Sequence, residues 1–90
     1  MQLLATKDNV IFKVKEKVKD PSELLVDTGE KETVLIGEHV ASGGQVSMTF
    51  HKEDEVCAYV NRVAVLPWAI EGYTFYTVKE ENIYAVKRNH

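Results

Sequence analysis

Few residues of this chain have the types and spacing that catalysis or metal binding would need. His39, His51 and His90 are far apart in the sequence, and none has a cysteine or carboxylate at the spacing of a metal site. Cys57 could act as a nucleophile beside a histidine, but no local signature of a cysteine enzyme surrounds it. The pattern therefore predicts no catalytic residue and no metal ligand.

Two polar stretches could also do chemistry, and each has a simpler interpretation. Glu53, Asp54 and Glu55 are typical of a solvated charged turn rather than of paired catalytic carboxylates. The stretch SGGQ (42–45) leads to no helix and to no lysine at the spacing of a phosphate-binding loop. The sequence therefore predicts no cofactor and favours a protein that is not an enzyme.

Composition and charge restrict the class of protein. The chain has 90 residues, 44% hydrophobic and 28% charged, which is typical of one small domain spanning residues 1–90. A net charge of −3 argues against a nucleic-acid partner. No apolar run approaches the roughly 18 residues that span a bilayer, and the start lacks the features of a signal peptide. The single cysteine suits a reducing compartment, so we expect a cytoplasmic protein without a membrane partner.

Alternating hydrophobicity predicts an all-β fold. In the first run, Val10, Phe12 and Val14 share one face, as in a half-buried strand. Gly37 within the second run predicts a bulge or sharp bend, and Pro67 is expected to end the fifth. Short runs at spacings of about ten residues are typical of a barrel or sandwich. The seven runs are VIFKVK (10–15), VLIGEHVA (34–41), VSMTF (46–50), VCAYV (56–60), VAVL (63–66), YTFYTV (73–78) and IYAVK (83–87).

Aromatic residues are concentrated in the second half of the chain. Alternation within YTFYTV places Phe75 and Tyr76 on opposite faces, of which only one can face the core. Because aromatic side chains dominate cores and interfaces, we expect these residues in the core and at subunit contacts. They are Tyr59, Trp68, Tyr73, Phe75, Tyr76 and Tyr84.

One segment, residues 16–33, departs from the strand pattern. It holds nine charged side chains, a proline and a glycine, and no sustained hydrophobic period. Ordering its backbone costs about 1–2 kcal/mol per residue, more than its four apolar residues can offset, so we expect a mobile loop. Long connections in small domains are usually functional or disordered. Leu24, Leu25 and Val26, three consecutive aliphatic residues in this loop, are therefore candidate contacts to a partner.

Five stretches of the chain follow one another in a familiar order. They are KDNVIFKVKE (7–16), the charged segment with its aliphatic triplet, GEHVASGG (37–44), KEDEVCAY (52–59) and GYTFYTVKEENIYAVK (72–87). In this order the chain resembles the GroES-type co-chaperonins, the 10 kDa chaperonin family. The resemblance spans nearly the whole chain and lies in the order, the length and the loop position together.

The resemblance implies a fold and a function. The fold would be an irregular β-barrel with a long mobile loop after its first strand. Seven such subunits would form a dome that caps a GroEL-type chaperonin in its nucleotide-bound state, around non-native substrate proteins, with ATP bound by the chaperonin alone. Leu24, Leu25 and Val26 match the aliphatic tripeptide that docks into each chaperonin apical domain. First and last strands pair between neighbouring subunits, which implies an interface containing Leu3, Leu4, Ile83, Tyr84 and Val86.

The chain also departs from the family's pattern. Ser22-Glu23 replaces a glycine pair before the tripeptide, so the loop is expected to be stiffer. Only residues 45–50 stand where the family often has a longer hairpin that roofs the dome, which implies a shortened roof. Glu53-Asp54 replaces a Gly-Asp pair, and Ala5 replaces a proline. These departures are typical of a divergent member, such as one that a virus encodes and that acts in the host cytoplasm.

Two other classes of function stay open on the sequence alone. A stand-alone β-barrel module could capture a different partner through the same loop, and it would be a monomer or dimer with no nucleotide-dependent binding. A small enzyme could use Cys57 or a histidine, and it would need a thiol of lowered pKa.

Overall fold

A computed structural model describes residues 2–15, 25–27, 33–51 and 53–88 of the chain. In these residues the chain forms seven β-strands and two single-turn 3-10 helices, and no α-helix. The predicted all-β class is therefore confirmed. The strands are β1 (Asn9–Lys15), β2 (Leu25–Asp27), β3 (Thr33–Ser42), β4 (Glu55–Tyr59), β5 (Ala64–Ile70), β6 (Tyr73–Lys79) and β7 (Ile83–Lys87), and the 3-10 helices are Val60–Arg62 and Glu80–Asn82.

The strands form one antiparallel sheet in the order β5-β6-β1-β3-β4-β7, with β2 paired to β3 beside this path. Within the described ranges, β5 and β7 each pair with a single neighbour, so the sheet is not closed into a barrel. The chain measures 32 × 30 × 28 Å along its principal axes, so the sheet is curved rather than flat. Among the described strands, β2, β5 and β7 thus each have one edge without a strand neighbour.

The core lies on the concave face of this sheet and begins with β1. Val10, Phe12 and Val14 are buried there, which confirms the period of two read from the sequence. Their cross-strand partners on β6 include Val78, in the core, and Tyr76, which stacks on the Phe12 ring at 5.6 Å. The cluster is completed by residues of β3 and β4: Leu35, Val56 and Ala58.

The bulge expected at Gly37 lies three residues further along β3. The pairing of β1 with β3 skips Val40, which is the extra residue of the bulge. Gly37 is needed for packing instead, because a Cβ at this position would collide with the Phe12 ring and lie 2.8 Å from the Lys13 carbonyl oxygen. The sequence thus identified a special glycine but not the reason for it.

The strand predicted at residues 46–50 does not form. Residues 45–51, which we call the 45–51 segment, contain no strand. The segment is held by side chains instead: the backbone amides of Ser47 and Met48 donate to the Glu80 carboxylate at 3.1 and 2.9 Å. These amides therefore have acceptors without a strand neighbour, which alternation of side chains alone cannot reveal.

β5 runs through Pro67 rather than ending before it. A proline is tolerated in an edge strand, where one side forms no ladder hydrogen bonds. Between Val65 and Ala69 the chain of β5 advances four residues while its partner β6 advances two, so β5 arches away from the sheet around Pro67. Glu71 and Gly72, both with positive φ, then form the tight hairpin into β6.

Candidate docking and assembly surfaces

Two residues of the predicted docking tripeptide, Leu25 and Val26, lie in the sheet, in the strand that follows β1 in the sequence. Leu25 and Val26 belong to β2, whose backbone pairs antiparallel with β3 in the register Leu25↔Leu35 and Val26↔Val34. This pairing uses the part of β3 that β1 leaves unpaired. The expectation of a connection without secondary structure is therefore wrong at residues 25–27, where aliphatic residue types favour a strand. Residues 16–24, which include Leu24, and residues 28–32 lie outside the described residues.

An apolar groove lies at the β5 end of the sheet, on the face opposite the core. Residues 2–6 line it together with Leu66 and Trp68 of the β5 arch. Ile11 and Thr77 are also among its lining residues, and its volume is about 520 Å³. The groove has the size and apolar character of a binding site.

Several apolar side chains at this end are exposed to solvent. Leu4 is 75% exposed and Trp68 is 50% exposed, and Val65, in the same strand as Trp68, is also exposed. Clustered apolar exposure of this kind marks contact surfaces more often than scattered single residues do. Trp68 therefore lies at the surface and not in the core, and its place at a subunit contact stays a prediction.

Leu66 was not predicted to lie at a contact surface, and Trp68 was named only among the aromatic residues expected in the core and at subunit contacts. Their signal was present, because a proline beside a tryptophan in an edge strand produces an arch that pushes the aromatic ring outward. Without the strand order, however, nothing shows that β5 is at an edge.

The opposite end of the sheet is β7, which carries the other predicted interface residues. Ile83 packs against the core, whereas Tyr84 is exposed and contacts the Tyr59 ring edge-on at 5.5 Å. Val86 is half-buried and pairs with Val56 of β4. The outer edge of β7 has no strand neighbour among the described residues.

The predicted interface residues thus form two surfaces rather than one. Leu3 and Leu4 lie at the β5 end, and Ile83, Tyr84 and Val86 lie at the β7 end, with four strands between these edges.

Asp54, expected in a solvated turn, is a buried ionic residue. Its carboxyl is 1% exposed and accepts hydrogen bonds from Arg88 Nε and Nη2, each at 3.2 Å. The backbone amide of His51 donates to the same carboxyl at 2.8 Å. The Arg88 hydrogen bonds, and then the His51 amide, hold the pKa of Asp54 below its ordinary value. Glu53 alone fits the expectation of an exposed turn.

Glu80 is a second carboxylate with a structural role. In addition to the two backbone amides, it accepts the Ser47 hydroxyl at 3.1 Å. The amide hydrogen bonds of Ser47 and Met48 lower the pKa of Glu80. The turn KEEN (79–82) is therefore more than a polar connection, because its first glutamate fastens a distant segment.

The described histidines and the cysteine show no catalytic arrangement. His39 stacks on Phe50 at 4.8 Å with its Nε2 2.8 Å from Ser42 Oγ, and burial lowers its pKa. Burial raises the pKa of the Cys57 thiol, the opposite of what an activated nucleophile needs. No group of three or more metal-ligating side chains occurs within the described ranges. His90 lies outside them.

The sequence was compared with protein-family models and with curated proteins. No protein-family model matches the chain, and no curated protein matches it at a significant level. Of the helices in the described ranges, none has the length and apolar character to cross a bilayer. The functional assignment therefore rests on the residues and their placement.

Proposed function

We propose that this protein is a divergent co-chaperonin of the GroES type, a ring-shaped cap for a GroEL-type chaperonin in its nucleotide-bound state. The observation that carries the proposal is the aliphatic triplet Leu24–Val26 within a charged connection between β1 and β3. These strands are sheet neighbours, and neighbouring antiparallel strands can be joined by a few residues. The connection of residues 16–32 is far longer, and the additional length carries the docking residues.

The energetics of such a triplet suit a cap that must bind and leave. Burying three aliphatic side chains gains about 5–8 kcal/mol, at about 1.5–3 kcal/mol each. Ordering six or so loop residues costs a comparable amount, at about 1–2 kcal/mol per residue. A single loop therefore binds weakly. Several loops on one ring bind together, with an avidity gain of roughly 10²–10⁴ over a single loop.

The placement of β2 supports docking by an extended segment. Leu25 and Val26 already have an extended backbone paired with β3, so part of the ordering cost is met before the partner arrives. Among the described strands β2 pairs with β3 alone, and its second edge is available to a partner.

The two surfaces at the ends of the sheet support assembly into a ring. A surface at one end that binds a different surface at the other end makes a head-to-tail contact, which closes into a ring at a suitable rotation. We assign the groove beside Leu3, Leu4 and Trp68 to one side of this contact and the β7 edge to the other. Ile83, Tyr84 and Val86 then lie at the contact as the resemblance implies, in a seven-membered ring of GroES-like subunits.

The remaining parts of the proposal follow from the chemistry of the chain. The protein has no catalytic role, and the nucleotide of the cycle belongs to the chaperonin. It is localised in a reducing cytoplasm, where Cys57 stays a thiol. The proteins that it encloses are non-native substrates.

Co-sedimentation with a GroEL-type chaperonin tests the proposal. The free protein is first measured by sedimentation velocity, and the mixture is then run without nucleotide, with ADP and with ATP. We expect a ring-sized free species that joins the chaperonin only when nucleotide is present. A monomer that joins no chaperonin under any of these conditions would overturn the proposal.

A second candidate is a stand-alone module that binds another protein by strand addition. The observation in its favour is the open sheet, which leaves edges on β5 and β7 within the described part of the chain. This candidate predicts a monomer or dimer whose binding is insensitive to nucleotide, so the same sedimentation runs distinguish the two.

A further inference from the structure

The 45–51 segment is fastened to the last part of the chain at two points. Its first fastening is Glu80, whose carboxylate accepts the Ser47 and Met48 amides. Its second is Arg88, which donates from Nη2 to the Thr49 carbonyl oxygen at 3.0 Å. Glu80 and Arg88 flank β7 on either side, so β7 and the 45–51 segment are held to each other at both ends.

Asp54 forms hydrogen bonds with Arg88 and with residues of two other parts of the chain. Its carboxyl accepts two hydrogen bonds from Arg88 and one from the His51 amide. Its carbonyl oxygen accepts the His39 amide of β3 at 2.8 Å, and its own amide donates to the His51 carbonyl oxygen at 3.2 Å. The end of the 45–51 segment and the residue after β7 therefore meet at one buried carboxyl, and β3 bonds to the backbone of the same residue.

The two partners of this pair differ in their exposure. Asp54 is 1% exposed, whereas the Arg88 side chain is 39% exposed. Arg88 can therefore leave the pair for water at little cost in hydration. The carboxyl left behind is buried with fewer donors, which is unfavourable unless the His51–Asp54 turn moves as well.

β7 depends on this pair more than an inner strand would. Among the described strands β7 pairs with β4 alone, and Arg88 follows its last residue directly. Loss of Arg88 contacts therefore releases the C-terminal end of a strand that has no second neighbour among the described strands of its own chain.

We propose that Asp54 and Arg88 form a latch that couples the docking of β7 on β4 to the order of the His51–Asp54 turn. When the latch opens, both regions are freed in one step, while the Ser47 and Met48 amides stay bound to Glu80. This inference does not rest on the proposed co-chaperonin function, since it concerns contacts within a single chain.

Amide hydrogen exchange of the full-length protein, read residue by residue by NMR, tests the latch. In Arg88→Gln we expect exchange of the His51 amide and of the β7 amides that bond to β4 to rise together by at least about tenfold. The Ser47 and Met48 amides should change by less than about threefold. Lys87→Gln is the matched control, because it removes the same charge one residue earlier from an exposed side chain, and it should leave both regions unchanged.

The latch would be overturned if Arg88→Gln accelerated only one of the two regions, or neither. If this variant does not fold, the unmodified protein decides the matter in a series of low denaturant concentrations. There the His51 amide and the β7 amides must share one opening free energy and one denaturant dependence. Two distinct openings would show that the regions are independent and would contradict the proposal.

Discussion

Gly37 of β3 lies directly against the ring of Phe12 of β1, so the backbone of β3 approaches this ring more closely than a residue with a Cβ would allow. A Cβ at position 37 would collide with the ring, and the Phe12 side chain is fully buried. Packing of this density tolerates no added methyl group without a shift of ring or backbone.

The first prediction concerns this contact. Gly37→Ala should lower the free energy of unfolding by about 1–3 kcal/mol, because the added methyl overpacks the site. Gly44→Ala is the control, since a Cβ there meets no atom within 4 Å. Urea unfolding followed by circular dichroism measures both. Equal midpoints for the two variants would show that the Phe12 contact is not as tight as described.

The second prediction is acid sensitivity of the fold. Asp54 and Glu80 have pKa values below their ordinary values of 3.8 and 4.5, so the unfolded chain takes up their protons first as the pH falls. Their contribution to stability is thus complete above those ordinary values and is lost as the pH falls through the lower values of the folded state. Urea midpoints measured from pH 6 to pH 2 should decline across this window.

Substitution of Asp54 measures how much of the fall in the urea midpoint at low pH is due to this residue. Asp54→Asn should flatten the dependence of the urea midpoint on pH below about 4, since the amide has no proton to take up. Glu53→Gln is the control, because the neighbouring Glu53 is exposed, and it should keep the slope of the unmodified protein. An unchanged slope in Asp54→Asn would show that Asp54 does not govern the acid response.

The third prediction concerns assembly through the groove. Trp68→Ser should weaken subunit association by at least about 2 kcal/mol per contact, or roughly 30-fold, because tryptophan at an interface centre commonly contributes this much. The fold should survive, since Trp68 is half-exposed in the single chain. Met48→Ser, at a comparably exposed apolar residue outside the groove, should leave the sedimentation coefficient unchanged. A ring that stays intact in Trp68→Ser would remove the groove from the interface.

The fourth prediction concerns the docking triplet. Leu25→Asp should leave the subunit ring intact and weaken chaperonin binding by at least about tenfold. The reason is that the new carboxylate would lose its hydration in the apolar docking site of the chaperonin. Ser22→Asp adds the same charge to the same segment and should bind as the unmodified protein does. Co-sedimentation in ADP measures both variants. If Leu25→Asp bound as tightly as Ser22→Asp, the triplet would not be the anchor.

Five strands, β1, β3, β4, β6 and β7, were predicted within one residue at both ends. In β1 the alternation reports directly on a sheet that buries one face. The same rule failed at residues 46–50, where the alternation VSMTF meets no strand partner and the amides bond to Glu80 instead. A contact between residues more than thirty positions apart leaves no local signal in the sequence.

The surfaces were predicted only in part, for a related reason. Leu3, Leu4 and Tyr84 could be named from a resemblance, but Trp68 requires knowledge that β5 is an edge strand. Asp54 was misassigned because its neighbours in the sequence are charged, whereas its ion pair is with Arg88 at the far end of the chain. Sequence patterns thus report which faces are apolar but not which distant charges meet.

Chaperonin-assisted refolding tests the central claim most directly. A substrate protein that stays unfolded with a GroEL-type chaperonin and ATP alone is incubated with this protein, and recovered substrate activity is measured over time. We expect recovery that requires both ATP and this protein, and that is lost with Leu25→Asp but kept with Ser22→Asp. No recovery with any of several chaperonins, although the protein is folded and assembled, would contradict the assignment as a co-chaperonin.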